Sequence, residues 1–251
     1  MSPARNLATT STVALLLALT GCTGADPDPS SDPTPVADDT SASPAAESPP
    51  GSGPTDLVDK VGRLDPGAYS LAAWGETDAE PLPRAIVEVP EGFWSNGGYV
   101  IDAGQGAFAP DEVGMVQVYA VDQVLTNPCR LRSATDVGPT TDDLADALVA
   151  ARGPSTRPRP ALLDGRDAVY LQVTVPADTD LADCTNREYP LWLAQGDTQA
   201  HSDPGVVHHL WILDVDSTRL VVVASLYPDQ DPDQNRDLLA MAESIHFAPA
   251  P

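Results

Sequence analysis

Four histidines, one aspartate-rich loop and one glycine-flanked tryptophan are the places where residue type and spacing in this chain could do chemistry. His208 and His209 are adjacent in an alternating apolar segment, so as strand residues they leave opposite faces and cannot share a metal ion in ordinary geometry. His201, seven residues before His208, can join one of them with Asp203 or Asp214 as a third ligand. Solvent-exposed or strand-edge histidines explain the same residues without a metal, His246 reads as structural, and no metal site is predicted. Asp229, Asp231, Asp233 and Asn235 fall at positions one, three, five and seven of a calcium loop. Gln234 stands where the turn requires glycine, Pro232 constrains the chain, and the twelfth position is Ala240 rather than Glu. A capped helix start accounts for these residues instead.

No Gly-x-Ser-x-Gly elbow, Ser-x-x-Lys, His-Glu-x-x-His or phosphate-binding glycine loop is present, so no catalytic residue and no cofactor is predicted. Carboxylates are so numerous that a glycosidase-like pair can always be chosen, which makes any such choice uninformative. Trp74, Trp94, Trp192 and Trp211 are the residues able to line a sugar or peptide cleft, but Trp192 and Trp211 sit in apolar strands and read as core. The run Glu91-Gly92-Phe93-Trp94-Ser95-Asn96-Gly97-Gly98 reads as a glycine-rich loop, and Phe93, Trp94 and Asn96 are the predicted ligand contacts.

Leu19-Thr20-Gly21-Cys22 closes an apolar run of seven residues, 13–19, and Arg5 is the only charge before it. That layout fits an export signal, and the run is far short of the roughly 20 apolar residues a spanning helix needs. The four residues resemble the lipobox of bacterial lipoproteins. The resemblance implies a diacylglyceryl thioether on Cys22, removal of residues 1–21 as a signal peptide, and attachment to the outer face of the cell membrane. A non-lipidated secretory signal cut nearby is the alternative. Two acyl chains hold a protein stably on a bilayer where one does so only marginally.

Residues 22–55 read as a tether: after Cys22 they hold eight prolines, six acids, no basic residue and no large apolar residue beyond Val36. Such a stretch buries too little surface to offset ordering entropy and is expected to be disordered. From residue 56 to 251 the composition turns to Val, Leu, aromatics and Gly, as expected for one extracytoplasmic domain. The chain has 37 acids against 13 basic residues; without Arg5 and the tether's six acids the domain keeps a net charge of −19. Nucleic acid and anionic headgroups are repelled by such a surface and are excluded as partners. The charge also favours a solvated monomer. With Cys22 acylated, only Cys129 and Cys184 remain, and an even pair in the oxidising compartment that the resemblance implies is expected to form a disulfide.

Two helices and a set of strands must position these residues. Thr140 caps a helix with Asp142 and Asp143 in its first turn and Leu144 and Leu148 on one face; it stops at Arg152-Gly153-Pro154. A second starts at Asp231 with Pro232 in its first position, buries Leu238, Leu239 and Ala242, and ends near Ser244. Alternation from 168 to 175 predicts a half-buried strand, with Val169, Leu171, Val173 and Val175 inward. Residues 210–215 and 220–224 are apolar on both faces and predict a central hairpin turning at Asp216-Ser217. Further strands are predicted at 68–73, 85–89, 98–101, 115–121, 189–193 and 245–247, and 153–160 as a surface connector. The class is α+β: a mostly antiparallel twisted sheet with about two packed helices and one disulfide.

Val89-Pro90-Glu91-Gly92-Phe93, Asn127-Pro128-Cys129, Asp142-Asp143-Leu144, Leu163-Asp164-Gly165, Val175-Pro176, Cys184, Trp211 to Asp216 and Glu243-Ser244-Ile245-His246-Phe247 follow one another in order. Over residues 82–249 this order resembles the uncharacterised extracytoplasmic domains of lipoproteins from high-GC Gram-positive bacteria, and more distantly the Mog1/PsbP-like fold. Asp216-Ser217 departs from the Asp-Gly expected at that turn. The resemblance implies a sheet flanked by helices and a binding or assembly role, with no catalytic residues to carry over. The functional expectation is a membrane-anchored, non-catalytic binding or sensing module that contacts a small ligand, a cell-wall component or a partner protein. The alternative is a wall-active or small-molecule hydrolase with a site assembled from distant residues; a plain wall-spacing lipoprotein is the third reading.

Overall fold

The computed structural model describes residues 53–104, 113–151, 153, 155–194, 198–199 and 202–250, all within the unit Glu47–Pro251. The expected signal of residues 1–21, Cys22, nearly all of the expected tether and His201 lie outside the described residues. Among the described residues no helix is long and apolar enough to cross a membrane.

In chain order the elements are β1 (Thr55–Asp56), β2 (Val61–Arg63), β3 (Gly67–Leu71), β4 (Arg84–Val89), β5 (Trp94–Asn96), β6 (Val100–Asp102), β7 (Met115–Tyr119), β8 (Val121–Leu125), β9 (Ala134–Asp136) and α1 (Thr141–Ala150). They continue with β10 (Arg159–Leu163), β11 (Arg166–Thr174), β12 (Trp192–Ala194), β13 (Thr198–Gln199), β14 (Val207–Val215), β15 (Thr218–Leu226), α2 (Pro232–Ser244) and β16 (His246–Ala248). An eight-stranded sheet runs β10-β11-β14-β15-β7-β6-β5-β2, and two four-stranded sheets run β1-β3-β4-β16 and β13-β12-β8-β9. Every ladder between these strands is antiparallel except β1 with β3. The class is α+β, as the sequence pattern predicts.

The β14–β15 hairpin is the centre. Trp211, Leu213, Val215, Leu220, Val222 and Ala224 join one core, which also takes in β3, β4 and the Leu238, Met241 and Ala242 face of α2. Leu210, Ile212, Val221 and Val223 join a second core with Leu144 and Leu148 of α1 and Trp192 of β12. The hairpin turn has φ of 50° at Asp216 and 70° at Ser217. Both central residues are thus left-handed, as a two-residue type I′ turn requires, and its twist matches that of the flanking strands. The serine therefore takes the conformation the sequence would assign to glycine. Asp164-Gly165 closes β10–β11 in the same way, with φ of 54° and 67°.

Three expectations change. β11 is not half-buried: Ala168 and Tyr170 are buried on the face opposite Leu171 and Val173, because the first core covers that face too. Residues 115–121 are two strands; Ala120 donates its N–H to the Trp74 carbonyl at 2.9 Å, and the chain passes from the large sheet at β7 to the smaller one at β8. Arg159 and Pro160 are the start of β10 rather than the end of a connector, a place where proline is tolerated because β10 is an edge strand.

Both helices are capped by their own sequence. Thr140 Oγ1 accepts from the Asp143 N–H at 3.1 Å while Asp143 Oδ2 accepts from the Thr140 N–H at 3.0 Å, a reciprocal capping box. Those bonds hold the Asp143 carboxyl below its ordinary value. Arg219 on β15 ties this helix start to the sheet by donating to the carbonyls of Thr140 at 3.0 Å, Val121 at 2.8 Å and Gly138. Asp231 caps α2, accepting from the Asp233 N–H at 2.8 Å, with Pro232 in the first turn. Leu239, predicted buried, is only partly so, and Met241 takes the core position instead.

Cys129 and Cys184 form a disulfide across 55 residues of sequence, joining the segment after β8 to the short helical turns before β12. In the chain-entropy model a closed loop of that length contributes about 4 kcal/mol. The Cys129→Ala/Cys184→Ala double variant is expected to lose stability of that order, read as a fall in the urea midpoint. A midpoint equal to the parent's would show that the loop is held shut by its other contacts, such as the Thr185 N–H to Cys129 carbonyl bond of 3.1 Å.

Candidate functional site

The first three strands of the large sheet and one wall of α2 build the site. In the β11–β14 register Tyr170 lies opposite Trp211 and Gln172 opposite His209. Period-two alternation therefore puts all four side chains on the same face of the sheet. Arg159 of β10 pairs with Tyr170 across the next ladder. Leu239 and Glu243, one helical turn apart on α2, face the same space. Arg159, Tyr170, His209, Trp211, Leu239 and Glu243, with Ala161 and Leu162 of β10, line a cleft of about 480 Å³, while Gln172 contacts it only through Tyr170 and His209.

Its polar groups are ordered by a short relay. Gln172 Nε2 donates to the Tyr170 hydroxyl at 3.0 Å, that hydroxyl is hydrogen-bonded to His209 Nδ1 at 2.7 Å, and Gln172 Nε2, which can only donate, also stands 3.5 Å from Nδ1, which assigns Nδ1 as the acceptor. With Nδ1 accepting, the neutral imidazole carries its proton on Nε2 and remains a donor there. Burial lowers the His209 pKa and so favours this neutral form. The ring lies nearly parallel to Trp211, at 27° with centroids 6.4 Å apart, and Trp211 meets Tyr170 edge-on at 5.2 Å. On the outer side the Arg159 guanidinium sits 4.1 Å from the centre of the Tyr170 ring, a cation–π contact. Arg159 has no carboxylate partner among the described residues.

His208 points to the other face, as adjacency in a strand demands. It is 4% exposed, and its Nε2 and Nδ1 are hydrogen-bonded to the hydroxyls of Ser202 and Ser225 at 2.7 and 2.9 Å. Trp192 meets the ring edge-on. Neither histidine is at a sheet edge or freely exposed, contrary to expectation, because β14 is the third strand of eight with both faces covered. Both nitrogens of His208 are already engaged, and the fold carries its neighbour to a different core.

Phe93, Trp94 and Asn96 are not where a ligand loop would put them. Residues 94–96 form β5, paired with β2 and β6, and Phe93 is 2% exposed within the first core, so it is removed as a ligand contact. Trp94 is half-buried and Asn96 exposed on the outward face. β5 is the seventh strand of the sheet whose first three form the cleft, so the structure does not bring these residues to it. The flanking glycines serve the backbone: Gly98 has φ of 85°, and a Cβ there would stand 3.0 Å from the Val58 Cα. In the aspartate-rich loop, Asp231 caps α2 and Asp233 pairs with Arg236 at 2.7 Å.

Arg159, Tyr170, Gln172, Leu239 and Glu243 were not flagged by sequence. Alternation does place Tyr170 and Gln172 on one face, but which strand lies beside β11 is a matter of long-range register. No protein-family model, curated protein or solved structure matches the chain. The functional reading therefore stands on these residues alone.

The two histidines lead to a test. Burial first, and the neighbouring His209 second, lower the His208 pKa from 6.5 to about 4. An unfolded imidazole takes its proton near 6.5, while the folded one resists until about 4, so this contribution is complete above pH 6.5 and is lost as pH falls to 4. Its size is on the order of 3 kcal/mol. The stability gap between the parent and His208→Gln, read from urea unfolding, should be widest at pH 7 and narrow steadily towards pH 4. A gap unchanged across that range would show that His208 titrates as it does in water.

Proposed function

We propose that this chain is a lipid-anchored extracytoplasmic binding module, tethered through Cys22 by the proline-rich acidic segment and presenting the Tyr170–His209–Trp211 cleft to a small ligand. The anchor is supported by the Leu19-Thr20-Gly21-Cys22 motif and the seven-residue apolar run before it. Binding is supported above all by one observation: an aromatic-floored cleft of about 480 Å³ whose polar groups are held in place by the Gln172–Tyr170–His209 relay. Ligand sites are typically concave, with a few fixed polar groups that set orientation. The relay fixes the His209 tautomer before any ligand arrives, so little ordering remains to oppose binding.

The hydrolase alternative draws no support from the cleft, since neither histidine is hydrogen-bonded to a carboxylate among the described residues. The net charge of −19 on residues 56–251 favours small or local contacts over nucleic acid or an anionic bilayer surface.

Two measurements on the expressed chain test the parts separately. Intact mass of the membrane-extracted protein should report a chain beginning at Cys22 with added acyl mass, and Cys22→Ser should leave the membrane fraction. A chain that starts elsewhere or lacks the lipid mass removes the anchor. For the cleft, titration with small organic acids, amines and neutral sugars should move the Trp211 indole N–H resonance with at least one class. An unmoved Trp211 signal in all three, with the fold intact, removes the binding role.

A further inference from the structure

We propose that the cleft selects a monocarboxylate carried on a compact apolar body, with the Arg159 guanidinium as the carboxylate's partner; the inference rests on the reading of the cleft as a binding site. Arg159 is distinguished by where its guanidinium lies. Arg63, Arg84, Arg166 and Arg236 each pair with a carboxylate, and Arg219 is consumed by three backbone carbonyls. Arg130, Arg132, Arg157 and Arg187 share with Arg159 the lack of a carboxylate partner among the described residues, but Arg159 alone of these lines the cleft. Its guanidinium lies over the Tyr170 ring at the mouth of the cleft. A guanidinium held over an aromatic ring can still present N–H donors in the fork geometry that matches a carboxylate with two parallel hydrogen bonds. The guanidinium is thereby pre-oriented, and less side-chain entropy is lost when an anion arrives.

The rest of the lining narrows the ligand. His209, a fixed Nε2–H donor by the relay, adds a second donor to the same space. Trp211, Tyr170, Leu239 and Ala161 provide apolar surface. Glu243 lines the α2 side. Its charge works against a phosphate dianion more than against a single carboxylate. The distant acids of the domain matter less than the guanidinium in contact, because charges are largely screened beyond about 8 Å at physiological salt.

The probes are benzoate, its neutral analogue benzamide, benzylammonium and inorganic phosphate, each titrated into the purified full-length chain and followed by the Trp211 indole and His209 ring resonances. Benzoate should bind at least tenfold more tightly than benzamide. Arg159→Gln should abolish that preference, and Arg159→Lys should restore only part of it, because an ammonium lacks the planar fork. Signals from Trp192 and His208, in the other core, should stay in place and so report an intact fold. Equal affinity for benzoate and benzamide, or a preference that survives Arg159→Gln, overturns the carboxylate assignment while the binding role stands. Tighter binding of benzylammonium or of phosphate overturns it likewise, in favour of a cation site or a bare anion site. If none of the four moves either resonance, the binding role falls and this proposal with it.

Discussion

The β14–β15 hairpin is apolar on both faces, and that single constraint dictates the layering of the domain. Leu210, Ile212, Val221 and Val223 on one side and Trp211, Leu213, Leu220 and Val222 on the other are all at most 4% exposed. Each would forfeit about 1.5–3 kcal/mol if left in water, so neither face can be solvent-facing. The chain meets the demand twice. A four-stranded sheet with α2 covers one face, and a second four-stranded sheet with α1 covers the other. The sheet switch at Ala120 follows from this arrangement, since one continuous run of chain must serve the central sheet and then one of its covers.

The same two-sided burial separates the histidines and creates the cleft. Adjacent residues in a strand between two cores must enter different cores, so His208 is sealed between two serine hydroxyls while His209 emerges beside Trp211 and Tyr170. Towards β10 the cover is incomplete. α2 supplies Leu239 and Glu243 to a cleft rather than to a closed core, and the edge strand contributes Arg159 and Ala161. The Gln172–Tyr170–His209 relay thus lies at a margin of the first core where α2 and the edge strand do not close on each other. That places hydrogen-bonding chemistry where it is anchored by rigid elements yet open to a ligand.

Much of the scaffold was legible in order of residues alone. The capping box at Thr140 and the Asp231-Pro232 start are local: a side chain satisfies backbone groups two or three residues away, and the sequence contains both partners. The central hairpin was legible because apolar residues on both faces of two neighbouring segments, 210–215 and 220–224, leave no other placement. Short strands were not. β2, β9 and β13 are two or three residues long, too short for a period to show, and exist because a longer neighbour offers them a ladder. β5 was hidden by its flanking glycines, which mark a loop in sequence but here take positive φ on either side of a paired strand, with a close backbone approach at Gly98. Phe93 was misplaced for the same reason, since a glycine-flanked aromatic looks exposed until a second layer is found to lie over it.

Sequence by itself determined the elements whose stabilising partners are near in the chain, the α+β class, the pairing of Cys129 with Cys184 given an oxidising setting, and the strongly acidic charge. Tertiary structure alone decided that Arg159, Tyr170, His209, Trp211 and Glu243, spread over 85 positions of the chain, meet in one cleft. The physical reason is range. Caps, turns and alternation are set by interactions within a few residues, whereas strand register and the docking of α2 are set by how two cores fill on either side of one hairpin, and no local pattern encodes that.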